Sequence, residues 1–226
     1  MHHPTTTHFE AAKHVLHYVK GTLNHGIHFS PGPLTLSTFA NADWAGDPTN
    51  RCSTTGFIVF LGSNPVSWSS KKQSTISRSS IEAEYITLAT TTTELAWLRI
   101  LFKELRLFLY HVLVLWCDNV SAIALSTNPV FHLHTKRIEV DYHYVREKFL
   151  RKDMCFRFVS GKDNLSNVFI KPLTAPLFQA QQRKLMVISS PFHLRGDVED
   201  DKAKHSVSLS LKTKGSQTHR FIKANS

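Results

Sequence analysis

A long amphipathic segment, residues 79–105, constrains the fold of this chain more than any other stretch. Ser79 and Glu82 have the spacing of a capping box, so we predict one helix that begins at Ser79. The helical repeat places Glu84 at the head of a largely apolar stripe, and packing along that stripe must offset the β-branched run 90–93. The rest of the stripe is Leu88, Thr91, Leu95, Leu98, Phe102 and Leu105.

Glu84 has two interpretations. A carboxylate on a core-facing stripe is unfavourable unless it has a partner such as a metal ion. Alternatively, Glu84 marks the edge of the stripe and reaches water. Glu82 lies about 200° round the helix from Glu84 and faces away, so it serves the cap. The choice between the two interpretations depends on the other acids of the chain.

Five strands are predicted from apolar and alternating runs at 34–44, 54–61, 66–70, 112–117 and 154–159. The short turn at 62–65 makes the second and third strands an antiparallel hairpin. Further helices are predicted at 119–126, 138–151 and 163–170, with Pro172 ending the last. The expected fold class is therefore α/β, with a mixed five-stranded sheet of three antiparallel strands and then two parallel strands, flanked by helices.

The ends of the chain are predicted to differ from its centre. Residues 7–20 have helical periodicity, and the turn-rich stretch 30–33 suggests a domain boundary. We expect residues 1–30 to be the end of something larger and residues 31–185 to form the domain. Residues 186–226 are rich in Ser, Lys and His and are expected to be a disordered tail.

Composition indicates a polyanionic partner and an intracellular protein. The formal net charge of +10 is most simply explained by nucleic acid binding. Three cysteines, without the spacing of a zinc site, indicate reduced thiols. No apolar run is long enough to span a bilayer, and the N-terminus lacks the apolar core of a signal peptide, so we expect no membrane partner.

Three acids are expected to meet at one edge of the sheet. Asp43 ends the first strand, Asp118 follows the fourth, and Glu84 lies on the helical stripe that faces them. Two like charges about 4 Å apart repel by roughly 4 kcal/mol at an effective dielectric of 20. Convergence therefore requires cations, and oxygen ligands suit Mg²⁺ or Mn²⁺. Two such ions about 3.5–4 Å apart support phosphodiester hydrolysis.

The sequence resembles the ribonuclease H region of copia-type retrotransposon polyproteins. The resemblance covers roughly residues 2–180 and is carried by ANADWAGDPTNRCSTTGFIVFLGSNPVSWSSKKQSTISRSSIEAEYITLA, LWCDNVSAIALSTNPVFHLHTKRIEVDYHYVREK and DNLSNVFIKPL. It implies a ribonuclease H fold and hydrolysis of RNA in RNA–DNA hybrids with two Mg²⁺ or Mn²⁺ ions. It also assigns the catalytic and metal-binding acids to Asp43, Glu84 and Asp118.

The resemblance further identifies residues 1–30 as the end of the stretch that joins the polymerase to this domain. The polymerase domain of the parent polyprotein is thus an expected partner. No Tyr-x-Asp-Asp polymerase motif occurs here, so we expect a fragment.

Several positions depart from the family pattern. Asn167 stands where the family has a fourth acid, and it remains a candidate metal ligand because an amide oxygen can still bind a cation. Asp163, one helical turn earlier, either substitutes for that acid or caps the helix. Asn41 also stands where Asp is common. A weakened nuclease and an inactive transposon remnant that keeps the fold are therefore both open.

Candidate nucleic-acid contacts surround the start of the long helix. Basic and hydroxyl side chains there either hold phosphates beside the metals or form a solvated loop. Asn119 is a candidate for contacting 2′-hydroxyl groups of RNA. Trp44 and Trp68 are expected in the core rather than on a stacking surface. The candidate phosphate contacts at the start of the helix are Lys71, Lys72, Ser74 and Arg78. Arg51, in an earlier part of the chain, is a separate candidate.

Overall fold

The computed structural model describes residues 3–127 and 139–189. The chain divides into two compact units, one formed by residues 1–24 with 189–226 and the other by residues 25–188. In the first unit, helix α1 (Thr6–Gly21) confirms the predicted N-terminal helix. Thr5 caps it, and the His8 ring accepts a hydrogen bond from the Thr5 backbone N–H at 3.0 Å.

The second unit is built on a five-stranded mixed sheet. Its strands are β2 (Leu36–Asp43), β3 (Thr54–Leu61), β4 (Asn64–Lys72), β5 (Leu113–Cys117) and β6 (Met154–Phe158). Their spatial order is β4-β3-β2-β5-β6. The first three pair antiparallel, whereas β5 runs parallel to both β2 and β6. The predicted ribonuclease H-like fold class, with three antiparallel and then two parallel strands, is confirmed by this order.

Helix α2 (Ser80–Glu104) is the long helix that the apolar stripe predicts. The Ser79 side chain caps it by accepting from the Glu82 N–H, while the Glu82 carboxylate accepts from the Arg78 N–H. The stripe is buried from Glu84 to Phe102, but Leu105 is 59% exposed because the helix ends at Glu104. Three of the helix's threonine hydroxyls donate to carbonyls one turn earlier, so these polar groups are satisfied within the helix.

Apolar side chains cover both faces of the sheet. Alternate residues of β3 point to opposite sides, as the two-residue period of a strand requires. Phe57 and Val59 join the main core, which includes α2, α3 (Val120–Thr127) and α4 (Glu139–Leu150). Ile58 and Phe60 join a smaller cluster on the other face. Since β3 is covered on both faces, its run of apolar residues is explained.

The last part of the domain differs from prediction. Residues 163–170 were predicted to open an α-helix, but they contain a short 3₁₀ helix, Leu165–Phe169. Helix α5 (Ala175–Lys184) then begins beyond Pro172 and has Pro176 in its first turn. Backbone N–H groups in the first turn have no partner within the helix, so the missing N–H of proline costs nothing there.

Two short strands were also missed. Strands β1 (His25–Ile27) and β7 (Val187–Ser189) pair with each other in a separate two-stranded sheet. Three-residue strands are too short to show periodicity. The predicted tail falls largely on residues 190–226, outside the described residues. Across residues 3–127 and 139–189, none of the helices has both the length and the apolar character needed to cross a bilayer.

Candidate metal centre

Parallel pairing of β2 with β5 creates the candidate site. The register places Ala40 beside Cys117, so the next residues, Asn41 and Asp118, lie side by side at the carboxyl edge of the sheet. The Asn41 Nδ2 group donates a hydrogen bond to Asp118 Oδ2 at 2.9 Å. Asn41 is buried, whereas Asp118 is partly accessible. The strand ends thus present one amide and one carboxylate to the space above the sheet.

Glu84 enters the same space from the first turns of α2. Its Oε1 atom accepts from the Ala42 backbone N–H at 3.0 Å, which joins the helix to β2. The Cys117 thiol donates to Oε2 at 3.8 Å. Glu84 is only 5% exposed, so the alternative that it reaches water at the edge of the stripe is wrong.

Asn167 closes the cluster from the 3₁₀ helix. Its Oδ1 atom accepts from Asn41 Nδ2 at 2.7 Å, and its Nδ2 group donates to the Gly161 carbonyl at 2.6 Å. One amide group, that of Asn41, therefore bridges Asp118 and Asn167. These hydrogen bonds show that the amides at positions 41 and 167 fit the cluster without a cation.

Burial dominates the electrostatics of the site. It raises the pKa of Glu84 from 4.5 to about 8, and the nearby charge of Asp118 adds to this effect. Burial also raises the pKa of Asp118, which the positive charge of Lys171 and hydrogen bonds from Asn164 and Asn41 oppose. Two carboxylates that resist ionisation in this way favour a bound cation, which would stabilise their charged forms.

Three side chains at the site offer donor atoms that are close enough to share one metal ion. Glu84, Cys117 and Asp118 each offer one ligand atom, and these atoms lie within 4.8 Å of one another. Carboxylate oxygens are the ligands that Mg²⁺ and Mn²⁺ prefer. Burial raises the pKa of the Cys117 thiol far above its usual range, so the protonated thiol is a poor ligand. The residues present therefore fit a divalent ion held mainly by two carboxylates.

Asp43 is not among the side chains that the structure brings together here. It lies two residues beyond Asn41 at the end of β2, where the chain turns. A Cβ atom added to Gly46 would lie 1.7 Å from Asp43 Oδ2, so this carboxylate rests against the turn that follows the strand. Asn41 occupies the place predicted for Asp43. The register of β2 against β5 identifies Asn41 as the residue at this position, because it places Asn41 level with Asp118.

Asp163 takes neither of its two predicted roles. It is exposed, where it accepts a hydrogen bond from Ser160 Oγ at 2.9 Å and pairs with Lys184 at 3.4 Å. Asn164 caps the 3₁₀ helix instead, since its side chain accepts from the Ser166 N–H. Sequence reasoning also missed Lys171, whose charge acts on both Glu84 and Asp118.

The predicted phosphate contacts lie near α2 but have different local roles. Lys72 forms an ion pair with Asp47, and the Arg51 N–H donates to the Asp47 carbonyl at 2.8 Å. Asn119 Oδ1 accepts from the Ala122 N–H at 3.0 Å and so caps α3. The other three residues predicted to contact phosphate are exposed: Lys71, Ser74 and Arg78.

The two tryptophans expected in the core are instead half-exposed. Trp44 is 49% exposed and Trp68 is 51% exposed. Trp68 lies on β4, the edge strand of the sheet, so only one side of it is covered. Trp44 directly follows β2 at the carboxyl edge of the sheet.

Comparison with known proteins identifies the family. The retrovirus-related Pol polyprotein from transposon RE2 of Arabidopsis thaliana is 46% identical over 192 residues, which cover 84% of this chain. The polyprotein from transposon RE1 of the same plant is 44% identical over 192 residues, or 84% of the chain. That from transposon TNT 1-94 of Nicotiana tabacum is 34% identical over 179 residues, or 79% of the chain. This chain belongs to the retrovirus-related Pol polyproteins of transposons.

Within such a Pol polyprotein, the chain corresponds to the ribonuclease H region. The match spans 13% of the length of each of these relatives. No family model matches the sequence.

Solved ribonuclease H structures are similar at lower identity. LC11-RNase H1, isolated from compost, matches with a TM-score of 0.46 and 13% identity, over 61% of this chain and 93% of that one. An N-terminal RNase H domain from Mycobacterium tuberculosis matches with a TM-score of 0.44 and 11% identity, over 66% and 97% of the two chains.

Proposed function

We propose that this chain is a copia-type ribonuclease H domain that binds RNA–DNA hybrids and hydrolyses their RNA strand slowly with Mg²⁺ or Mn²⁺. The observation that supports the proposal most directly is the convergence of Glu84 and Asp118 at the carboxyl edge of β2 and β5. The parent polyprotein would place a polymerase beside this domain, which makes the polymerase a proposed partner.

Each side chain of the cluster has a proposed part in the reaction. Glu84 and Asp118 would hold the cation, and a cation there would supply activation of water and stabilisation of the leaving oxygen. Their protons must leave when the cation binds, because burial keeps both carboxyl pKa values high. Asn41 and Asn167 orient Asp118 through the bridging amide. The exposed Lys171 adds positive charge next to the phosphate's position.

Low charge is the proposed reason for slow cleavage. Asn41 and Asn167 supply neutral oxygens at the two positions where the family pattern has acids. Two carboxylates match the charge of one divalent ion, so the second ion that the sequence predicts should bind weakly. Since hydrolysis by this mechanism depends on both ions, weak binding of the second ion should lower the cleavage rate more than the affinity for the hybrid.

The test compares the parent chain with Asn41→Asp/Asn167→Asp and Asp118→Asn. We expect the double variant to cleave a labelled hybrid at least about 100-fold faster than the parent and to bind Mn²⁺ more tightly in calorimetric titration. Asn50→Asp is the matched control, since it adds the same charge at an exposed position. If Asp118→Asn cleaved as well as the parent, the site would be assigned wrongly.

An inactive remnant is the second candidate, favoured by one observation. The Asn41 amide satisfies Asp118 and Asn167 directly, so the cluster is stable without a cation. A remnant predicts no cleavage by the parent and none by the double variant. Rescue of cleavage by the two aspartates would instead show that only the cation ligands are defective.

A further inference from the structure

Trp44 is anchored by a hydrogen bond of its indole group, yet half of its surface is exposed to water. Its indole Nε1–H donates to the Ser77 carbonyl at 3.1 Å, while 49% of the residue is exposed. Ile76, beside the anchoring residue, is 52% exposed. The exposed part of the ring is a flat apolar surface, which a ligand with a flat ring can contact.

The support of Trp44 is the same structure that positions Glu84. Ser77 is buried, and its hydroxyl donates to Gln73 Oε1 at 3.0 Å. The other end of the Gln73 amide donates to the Ala83 carbonyl at 2.9 Å, one residue before Glu84. This chain of hydrogen bonds fixes the indole ring relative to the first turn of α2. A ligand that contacts the ring is therefore also positioned relative to the candidate metal centre.

We propose that the Trp44 ring is a nucleotide platform: it packs against the ribose and base of one nucleotide of the RNA–DNA hybrid next to the cluster. The proposal rests on the function proposed above. Aromatic rings bind nucleotides in this way without selecting a sequence, as a domain that cleaves many sequences needs. The exposed Arg78 side chain follows the Ser77 anchor in the chain and supplies a cation for the adjacent phosphate.

Charge favours nucleic acid over protein as the occupant. The side chain of Arg78, the residue after the Ser77 anchor, is exposed, and the chain carries a formal net charge of +10. An apolar ring on a basic chain fits a polyanion that also presents flat rings. Trp44 directly follows β2, whose last residues include Asn41, so both residues lie at the carboxyl edge of the sheet.

Trp97 provides a matched control for Trp44. It is 54% exposed on α2, so the two residues share chemistry and accessibility. Trp97 lies thirteen residues beyond Glu84, which places it about 20 Å along the helix from the cluster. If the loss of any exposed tryptophan weakened binding, alanine substitutions at Trp44 and at Trp97 would weaken it equally.

The experiment measures the Kd of the whole chain for a fluorescently labelled RNA–DNA hybrid, in EDTA and at one fixed salt concentration. We expect Trp44→Ala to bind about tenfold more weakly, in the range known for loss of one stacking contact. Trp44→Phe keeps the ring without the indole N–H and should stay within about threefold of the parent. Trp97→Ala should bind like the parent. Thermal unfolding of each variant shows that it is folded.

The outcomes separate this inference from the proposed function. If the parent binds the hybrid and Trp44→Ala binds equally well, the nucleotide platform is overturned, the exposed ring belongs to another occupant such as a protein surface, and the proposed function stands. Equal losses of hybrid affinity in Trp44→Ala and Trp97→Ala would also overturn the nucleotide platform, since the effect would not be specific to the Trp44 ring. If the parent does not bind the hybrid, the proposed function and this inference both fail.

Discussion

The two edges of the sheet hold their carboxylates in opposite ways. At the carboxyl edge, Glu84 and Asp118 are held by neutral amides, a backbone N–H and burial. At the other edge, Asp153 precedes β6 and lies 3.0 Å from Arg99 Nη1 and 3.9 Å from Lys148 Nζ. Both edges gather polar groups from α2 and the ends of strands, yet direct ion pairs neutralise Asp153 and not Glu84 or Asp118.

The difference shows which edge is prepared for a ligand. The ion pairs of Asp153 are partly exposed, so water screens them and they contribute little to stability. Glu84 and Asp118 are desolvated with no cation in direct contact among the described residues, so their charged forms are unfavourable. A divalent ion would relieve that penalty at the carboxyl edge and would gain nothing at the other.

The largest effect should come from Asn41→Asp. This substitution removes the amide donor and adds a carboxylate beside Asp118, where like charges repel by roughly 4 kcal/mol. We expect the free energy of unfolding to fall by about 3 kcal/mol in EDTA and to recover in Mn²⁺, measured by urea denaturation. Asn50→Asp should show neither change. An equal loss in EDTA and in Mn²⁺ would mean that position 41 does not face a cation site.

An effect of similar size is expected from the titration of Glu84. Its folded-state pKa of about 8 exceeds the ordinary value of 4.5, so the folded chain binds the proton more tightly than the unfolded chain. In EDTA, stability should therefore be full below pH 4.5 and should decline by on the order of 3 kcal/mol between pH 5 and 8.

Glu84→Gln is the control for this decline. The amide resembles the protonated acid and does not titrate, so the difference between parent and variant isolates Glu84 from other groups. Urea denaturation at several pH values gives that difference. Identical pH profiles for the two proteins would show that the buried carboxyl group does not titrate in this range.

Gly46→Ala tests where the Asp43 carboxylate lies. The new methyl group would occupy the space of Asp43 Oδ2, so we expect a loss of about 1 kcal/mol in the free energy of unfolding. The loss should disappear in an Asp43→Ala background, because the two positions compete for one volume. Gly32→Ala is the control, since no atom lies within 4 Å of its added Cβ. Additive effects would place the Asp43 side chain elsewhere.

The smallest effect should come from Asp153→Asn. Partly exposed ion pairs typically contribute less than about 1 kcal/mol, and 1 M NaCl screens them. The variant should therefore lose only a few tenths of a kcal/mol in unfolding measurements, and nothing at high salt. A loss as large as that of Asn41→Asp would remove the contrast between the two edges.

The sequence predicted elements with strong periodicity and local caps. Strand β3 has the predicted bounds, and α2 begins directly after its predicted cap, Ser79. The mixed sheet of three antiparallel strands and then two parallel strands was also predicted and is confirmed. These features depend on residue spacing within one segment and on general rules for connecting strands, so they are visible without coordinates.

The site needed information that spacing within a segment does not contain. Choosing Asn41 over Asp43 requires the register between β2 and β5, and a shift of two residues moves a side chain about 6.6 Å along a strand. Charge was also misleading, because Asp43 has the expected chemistry and Asn41 does not. The 3₁₀ geometry around Asn167 depends on contacts with β2 and β3, which are distant in sequence.

The hydrogen bond from the Ala42 N–H to Glu84 has a consequence for how such domains lose activity. The Glu84 carboxylate joins α2 to β2 as well as facing the site. Its removal would therefore impair folding even in a chain that has lost nuclease activity. The amides at positions 41 and 167, by contrast, are accommodated in the fold through their own hydrogen bonds. Among transposon copies that accumulate mutations, we therefore expect the acid of the helix to disappear last.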